Sequence, residues 1–428
     1  MCLTIPGKIL AIKDGIATVK STRETAQIDM SFVFDAKVGD WILFATNRAV
    51  KVISETDAAE IISLLEDHYH PVDVSRLPLK FKRIIFKVRS GNHNISKDEI
   101  AYLLGLRGKD NLETLYAEAN SIRKLKLEDF VCIHGIIEFS NYCKNDCLYC
   151  GIRKDNKIKH YRMTLPEIFE AAKTAVSEGY KLLVLQSGED VGLSDDNVLE
   201  IIKEIKRKLK VFVFISVGER TLDFYKKAWK AGATGALIRF ESADKKLYKK
   251  MRPEHRLEDR LALIKSLKKI GYYIATGSLI GLPGQSLEQI AADLLMIKKL
   301  GIPMISAGPF IPAKGTPLKE VESEKSKVES SKESLELALK FIAVARFMMP
   351  EIKIPVTTAL ETLDKKEGRH KGLLAGANAL MFNLTPEKYC EKYSIYDDKF
   401  RDREQIWQKY GLFKGEESWE MIEGKLKV

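Results

Sequence analysis

The chain has 428 residues, 45% hydrophobic, 30% charged and 9% aromatic, a length that fits two or three folding units or one large barrel with additions. The apolar share excludes collagen-like, low-complexity and wholly disordered chains. No run reaches the ~18 apolar residues of a spanning helix, and the start MCLTIPGKIL has no signal-peptide pattern, so a cytoplasmic protein without membrane partners is expected.

Seventy Lys and Arg against 59 Asp and Glu leave a net charge of +11. Lys and Glu are interleaved, however, as in KEVESEKSKVESSKES, which describes a solvated surface rather than the concentrated basic face of a nucleic-acid binder. Six cysteines, three of them within eight residues, point to metal in a reducing compartment rather than to disulfides.

In chain order, the β-rich runs KILAI, GIATVK, TAQIDM, WILFA and AVKVI, separated by turns such as KDG and KVGD, predict a small all-β barrel over residues 1–68. A helix over Asp57–Glu66 closes it. Residues 69–130 read as a linker, with His68 and His70 solvent-exposed at its start, followed by helices such as SKDEIAYLL and NLETLYAEANSIRKL. No internal repeat is evident.

From residue 131 to 390 apolar runs alternate with amphipathic stretches. The runs are IHGIIEF, LLVLQ, VFVFIS, ALIRF, YYIATGSL, MISAGPF, IKIPVTTA and ALMFN. Eight strands alternating with helices predict a parallel (β/α)8 barrel of the α/β class, with a doubly wound sheet as the other arrangement. Residues 391–428 read as a helical tail with Trp407 and Trp419 packing on the barrel.

Directly after the first of these runs stands Cys143-Lys-Asn-Asp-Cys147-Leu-Tyr149-Cys150, a C-x3-C-x2-C motif. Three thiolates on one loop suit three irons of a 4Fe–4S cube and leave the fourth iron open. A structural zinc site would want four closed ligands, and only His160 follows nearby.

With an aromatic residue before its last cysteine, this motif resembles that of the radical S-adenosylmethionine (SAM) superfamily. Ser187-Gly188-Glu189 is similar to that family's Gly-Gly-Glu element, which holds the SAM amino group. Gly277-Ser-Leu279-Ile-Gly281-Leu-Pro-Gly284 is similar to its glycine-containing stretch beside the adenine. The segments YCKNDCLYCGIRKDNKIKHYRMT, LLVLQSGED, GSLIGLPGQ, GPFIPAKGTPL and IPVTTAL together resemble the HydE-type maturases of FeFe-hydrogenase over residues 75–390.

In a (β/α)8 barrel, chemistry sits at the carboxyl ends of the strands. Those ends carry Cys143, Cys147 and Cys150, then Ser187 and Glu189, Ser216 and Glu219, Arg239 and Glu241, Ser278, Thr357 and Thr358, and Asn383. The resemblance assigns Glu189 or Glu219 to SAM's positive groups, Arg239 to its carboxylate, and Tyr149, Ser187, Glu241 and Leu279 to its surroundings. It implies reductive cleavage of SAM to methionine and a 5′-deoxyadenosyl radical inside a dry barrel.

A HydE-type substrate would be an iron-bound cysteine carbonyl–cyanide species lying near Thr357, Thr358, Met381, Asn383 and Tyr389. HydG- and HydF-type maturases would be partners, with a ferredoxin or flavodoxin as electron donor. The segment reading Arg-His-Glu-Thr in many such proteins is Arg239-Phe240-Glu241-Ser242 here, which is expected to change the cavity lining. The only cysteine after Cys150 is Cys390, so no accessory cluster is expected, and Cys132 reads as a small buried hydrophobe.

Residues 1–68, with MCLTIPGKILAI and VGDWILF, resemble the HypC family of hydrogenase maturation chaperones. That resemblance implies that Cys2, exposed by Met removal, engages iron or a partner; Ala45 stands where the family has a His. The leading expectation is a HydE-like radical SAM enzyme with a HypC-like domain in front. The alternatives are a methylornithine-synthase or biotin-synthase-like enzyme on another substrate, and a non-enzymatic iron–sulfur carrier.

Overall fold

The computed structural model describes residues 5–21, 25–31, 33, 35–45, 48–59, 74–127, 131–321 and 327–401, and Cys2, His68, His70, Trp407 and Trp419 lie outside them. The chain divides into two units, residues 1–72 and 73–428.

The first unit is a closed barrel of strands β1 (Ile5–Lys13), β2 (Ile16–Ser21), β3 (Thr25–Asp29), β4 (Trp41–Ala45) and β5 (Arg48–Ile53), in the order β1-β2-β3-β5-β4. The β1–β2 hairpin turns through Asp14 and Gly15, both with positive φ, as a two-residue Asp-Gly turn requires. Alternate residues Ile9, Val19, Ile28, Ile42 and Phe44 fill its core. Closure removes the free strand edges that a sheet this small would otherwise expose.

The second unit is a parallel eight-stranded barrel. Its strands are β6 (Cys132–Ser140), β7 (Leu182–Ser187), β8 (Phe212–Ser216), β9 (Ala233–Leu237), β10 (Tyr273–Thr276), β12 (Met304–Ile305), β14 (Pro355–Val356) and β15 (Ala379–Asn383). Neighbours pair in chain order, β15 returns to β6 with Met381 opposite His134, and a bridge between Met304 and Lys353 spans the remaining gap. A short pair, β11 (Leu279–Ile280) with β13 (Gly308–Pro309), extends the carboxyl side beyond β10 and β12.

The strands read as continuous apolar runs because both faces are covered. Inward residues Cys132, Ile136, Val184, Phe214, Met304 and Met381 form the inner core. The intervening positions, such as Ile137, Leu183, Val213 and Ala236, pack against the helices. Helix starts carry the signals their sequences show: Ser96, Thr164 and Ser286 each complete a capping box. No helix among the described residues is long and apolar enough to cross a membrane.

Candidate functional site

The loop after β6 carries the three cysteines. Its base is pinned at Asn141, whose N–H donates to the Tyr161 carbonyl (3.3 Å), whose Oδ1 accepts from Tyr161 N (2.8 Å), and whose side-chain amide donates to the carbonyls of Lys159 (2.9 Å) and Lys392 (2.7 Å). The loop also meets neighbouring strand ends, through Lys144 N to the Glu189 carbonyl (3.0 Å) and Leu148 N to the Met251 carbonyl (3.0 Å). Burial pushes the Cys143 thiol up, Cys147 to about 11 and Cys150 higher still. Unligated, all three are therefore thiols at neutral pH, and a bound cation would supply the charge that favours thiolates. Among the described residues no three of His, Cys, Asp and Glu close round a single ion.

Beside the cysteines, charged groups from three strand ends and the segment after β9 converge. Glu189 follows β7, and its carboxylate lies 3.6 Å from Lys144 Nζ and 3.8 Å from Arg252 Nη2. Glu219 follows β8 and contacts Arg260 Nε (2.6 Å), Arg252 Nη2 (3.9 Å) and His255 Nδ1 (3.4 Å). Burial alone would raise Glu219, but the His255 hydrogen bond and Arg252 hold it below the usual carboxylate range. His255 Nε2 reaches Asn145 Oδ1 at 3.1 Å, joining this network to the cysteine loop. Arg252 and Arg260 are each 4% exposed.

Two backbone details make room. Gly218 has φ +74°, and a Cβ there would collide with Glu189 Cγ, so only glycine admits the carboxylate. Glu241 has φ +64°, an uncommon conformation for a side chain of its size. It is over-determined by Glu241 N to the Gly277 carbonyl (3.0 Å) and Leu279 N to the Glu241 carbonyl (2.9 Å), strain of the kind that gathers at functional sites.

Glu189 Oε2, Glu219 Oε1, Glu241 Oε2, Arg252 Nε and Nη2, and Arg260 Nε are all buried without a well-directed hydrogen bond. Buried polar atoms are normally satisfied, so this set fits a zwitterionic ligand with both an ammonium and a carboxylate. A cleft of about 350 Å³ opens beside it, lined by Lys144, Glu189, Val191, Val217, Glu219 and Arg220.

Several expected residues are placed differently from the sequence reading. Arg239 lies 3.3 Å from Glu241 and donates to the Ser278 carbonyl (2.9 Å), so its charge is already engaged. Arg252 and Arg260, which no expectation from the sequence included, are two further cations buried at the same rim, Arg260 Nε lying 2.6 Å from Glu219; both lie in MRPEHRLEDR, whose Arg, Glu and His pattern was the available signal. Tyr389 stands on the outer side of the barrel, stacked on Tyr161 at 4.8 Å and donating to Glu167 at 2.7 Å, because the turn after β15 carries it past the rim. Phe240 packs in the strand–helix core, so it does not line the cavity as expected.

Met381 sits in the inner core. Thr358 Oγ1 pairs with Tyr396 OH at 2.8 Å, while Thr357 Oγ1 is buried and unpartnered beside Gly308. Asn383 donates to Glu138 at 2.9 Å, and the other Glu138 oxygen meets Lys399. Ser187 Oγ donates to the Gly188 carbonyl at 2.7 Å. Leu279 and Tyr149 belong to an apolar cluster with Met251, Leu282 and Phe310. Cys132 is 2% exposed, with Lys353 Nζ 3.5 Å from its sulfur.

A three-cysteine loop at the carboxyl face of a parallel barrel, beside a polar pocket shaped for a zwitterion, defines a radical SAM enzyme. Residues 137–297 match the radical SAM superfamily and residues 1–65 the HupF/HypC family. The FeFe-hydrogenase maturase subunit HydE of Thermotoga maritima is 41% identical over 305 residues, covering 71% of this chain and 84% of that protein. The 3-methylornithine synthase of Methanosarcina barkeri is 30% identical over 314 residues, covering 73% and 86% respectively. A crystal structure of methylornithine synthase superposes with TM-score 0.69 at 27% identity, covering 79% of this chain and 99% of that one. The maturase HydG shares the fold at TM-score 0.65 and 21% identity, over 82% and 78%. The chain thus belongs to the radical SAM superfamily, as a HydE-type member with a HypC-like amino-terminal domain. Members of this superfamily bind a 4Fe–4S cluster and SAM.

Proposed function

We propose that this chain is a HydE-type maturase acting in assembly of the di-iron cofactor of FeFe-hydrogenase. The 41% identity to HydE, set against 30% to 3-methylornithine synthase, carries the reading. Cys143, Cys147 and Cys150 would hold the cluster. Glu189 and Glu219 would meet SAM's ammonium, Arg252 and Arg260 its carboxylate, and Leu279 would contribute to the apolar wall. When bound, the cluster and SAM supply one-electron chemistry, reductive cleavage of the sulfonium to methionine and a 5′-deoxyadenosyl radical.

The chain's own contribution is orientation and exclusion of water. His255 ties Asn145 of the cysteine loop to Glu219, so the cluster ligands and the SAM pocket are positioned as one assembly. Thr357, Met381 and Asn383 would line the space for an iron-bound cysteine carbonyl–cyanide substrate. HydG- and HydF-type maturases would be partners, and Cys2 with the front barrel would serve docking. A ligated-iron carrier without enzymatic activity would need no buried Arg252–Arg260–Glu219 pocket, which disfavours that alternative.

The test is anaerobic reconstitution followed by dithionite and SAM, with 5′-deoxyadenosine quantified. An intact cluster that yields none refutes the radical chemistry. Maturation of apo-hydrogenase with the other maturases present, lost when this chain is omitted, distinguishes a HydE role from methylornithine synthesis.

A further inference from the structure

Two neighbouring strand ends leave a side opening at the carboxyl rim. It is the cleft of about 350 Å³ between the loop after β7 and the loop after β8. Its floor is Glu189 and Glu219, whose buried Oε2 and Oε1 lack directed hydrogen bonds. Val191, 82% exposed, forms the lip. Leu193 and Val217 give the wall an apolar stretch, and Lys144 stands 3.6 Å from Glu189.

Side chains hold this cleft open. Arg220, 13% exposed, crosses from the β8 side and donates to the Leu193 carbonyl (3.0 Å) and to Asp195 Oδ1 (2.5 Å). Asp195 begins the helix Asp195–Leu209, whose cap Ser194 accepts from Asn197 N at 3.1 Å. The helix Leu222–Ala231 is capped in the same way by Thr221, which accepts from Phe224 N at 3.1 Å. Asp190, in the loop after β7, is fixed by two 2.7 Å hydrogen bonds from Arg162 and one of 2.6 Å from Ser140. Both loops are therefore tied down, and closing the cleft would break these bonds.

The place of the cleft on the rim decides which end of SAM faces it. It lies at β7 and β8, whereas Leu279 and Phe310 of the apolar wall lie on the β11–β13 side, beyond β10, with β9 between. With SAM's ammonium at Glu189 and Glu219, its amino-acid end lies against the cleft and its adenosyl end points to that wall. We propose that this cleft is the port through which the methionine product leaves, independently of the 5′-deoxyadenosine held on the barrel side. The proposal rests on the assignment of Glu189 and Glu219 to the ammonium. The lining matches the cargo: acids meet the ammonium, while Val191, Leu193 and Val217 meet the thioether chain. A volume of about 350 Å³ is near the lower end of small-molecule sites and suits an amino acid. Methionine should accordingly exchange with solvent while 5′-deoxyadenosine still occupies the barrel.

The test follows radiolabelled L-methionine on the iron-loaded full chain by rapid filtration, with saturating 5′-deoxyadenosine present throughout. Methionine should still enter and leave. Val191→Cys carrying a bulky dye through a disulfide should slow association and dissociation together, each on the order of tenfold, and keep the dissociation constant within about twofold, because an obstructed path changes rates but not end states. Removing the dye with dithiothreitol should restore both rates. The parent chain treated with the same dye controls for its native thiols and should keep its rates. Methionine that exchanges only after 5′-deoxyadenosine is washed out, or rates that the dye leaves unchanged, would overturn the proposal. If neither SAM nor methionine binds the iron-loaded parent, the assignment of the zwitterion pocket fails and the port with it. If methionine exchanges as expected but dithionite and SAM yield no 5′-deoxyadenosine, the radical reading fails while the port stands.

Discussion

Lys399 reaches back from beyond the last strand to the barrel's first. Its ammonium contacts Glu138 Oε1, the two side chains being 2% and 3% exposed. Asn383 donates to Glu138 Oε2 at 2.9 Å, and the Tyr393 carbonyl accepts from Lys399 at 3.3 Å. Replacing Lys399 with Met leaves a buried carboxylate with one amide donor and no counter-charge, which costs about 3–5 kcal/mol. Adding Glu138→Gln removes that stranded charge and keeps an acceptor for Asn383, so the double variant should lie within about 1–2 kcal/mol of the parent. The double variant should therefore be about 2–3 kcal/mol more stable than Lys399→Met alone, a non-additivity that contacting residues show.

The assay is urea unfolding followed by far-ultraviolet circular dichroism, which reports the helices around the large barrel. A loss below about 1 kcal/mol in Lys399→Met would refute the reasoning, as would single effects that add within about 0.5 kcal/mol. The segment carrying Lys399 also touches the cysteine loop, through Gly151 N to the Ile395 carbonyl at 2.9 Å. The single variant should accordingly retain less iron after reconstitution than the double.

Other outcomes follow from the same geometry. Cys147→Ala should abolish iron retention and 5′-deoxyadenosine together; iron content and cluster absorbance check this. Arg260→Met should weaken SAM binding by on the order of 10–100-fold, because it removes a buried cation and the 2.6 Å contact that orients Glu219, whereas Arg239→Met should weaken it less; equilibrium SAM titration separates them. Gly218→Ala should fold yet lose SAM affinity, since its Cβ displaces Glu189.

Asp293 is fully buried, accepts from Ala243 N at 2.6 Å, and is pushed up to about 7 by burial. A raised folded pKa means that the native state binds more protons, so this contribution to stability is complete below about pH 4 and lost as pH rises through 7. Asp293→Asn, which cannot ionise, should flatten that slope. Equal slopes for the two proteins, in urea unfolding at pH 5 and pH 8, would exclude the assignment.

The eight barrel strands were legible because parallel strands covered on both faces leave continuous apolar runs, from IHGIIEF to ALMFN. The cysteine loop was legible because its three ligands are local in the chain. The front barrel was legible from short strands and an Asp-Gly turn. Individual directions were less so. ALIRF began three residues later than observed β9 (Ala233–Leu237), and Tyr389 and Phe240 proved to face away from the cavity.

What the sequence by itself determined is therefore the local chemistry: elements with a clear period and ligands within one loop. What only the tertiary structure decided is which distant charges meet. Arg252, His255 and Arg260 reach Glu189, Glu219 and Asn145 because barrel closure brings separate strand ends onto one rim. Lys399 pairs with Glu138 across 261 residues, a contact that no local pattern encodes. The basic charge, diffuse in composition, gains an orientation from the same folding. Arg162 returns against Ser140 and sets Lys157 and Lys159 beside the cysteine loop, because a β-bridge there satisfies backbone groups that would otherwise lie buried and unpaired.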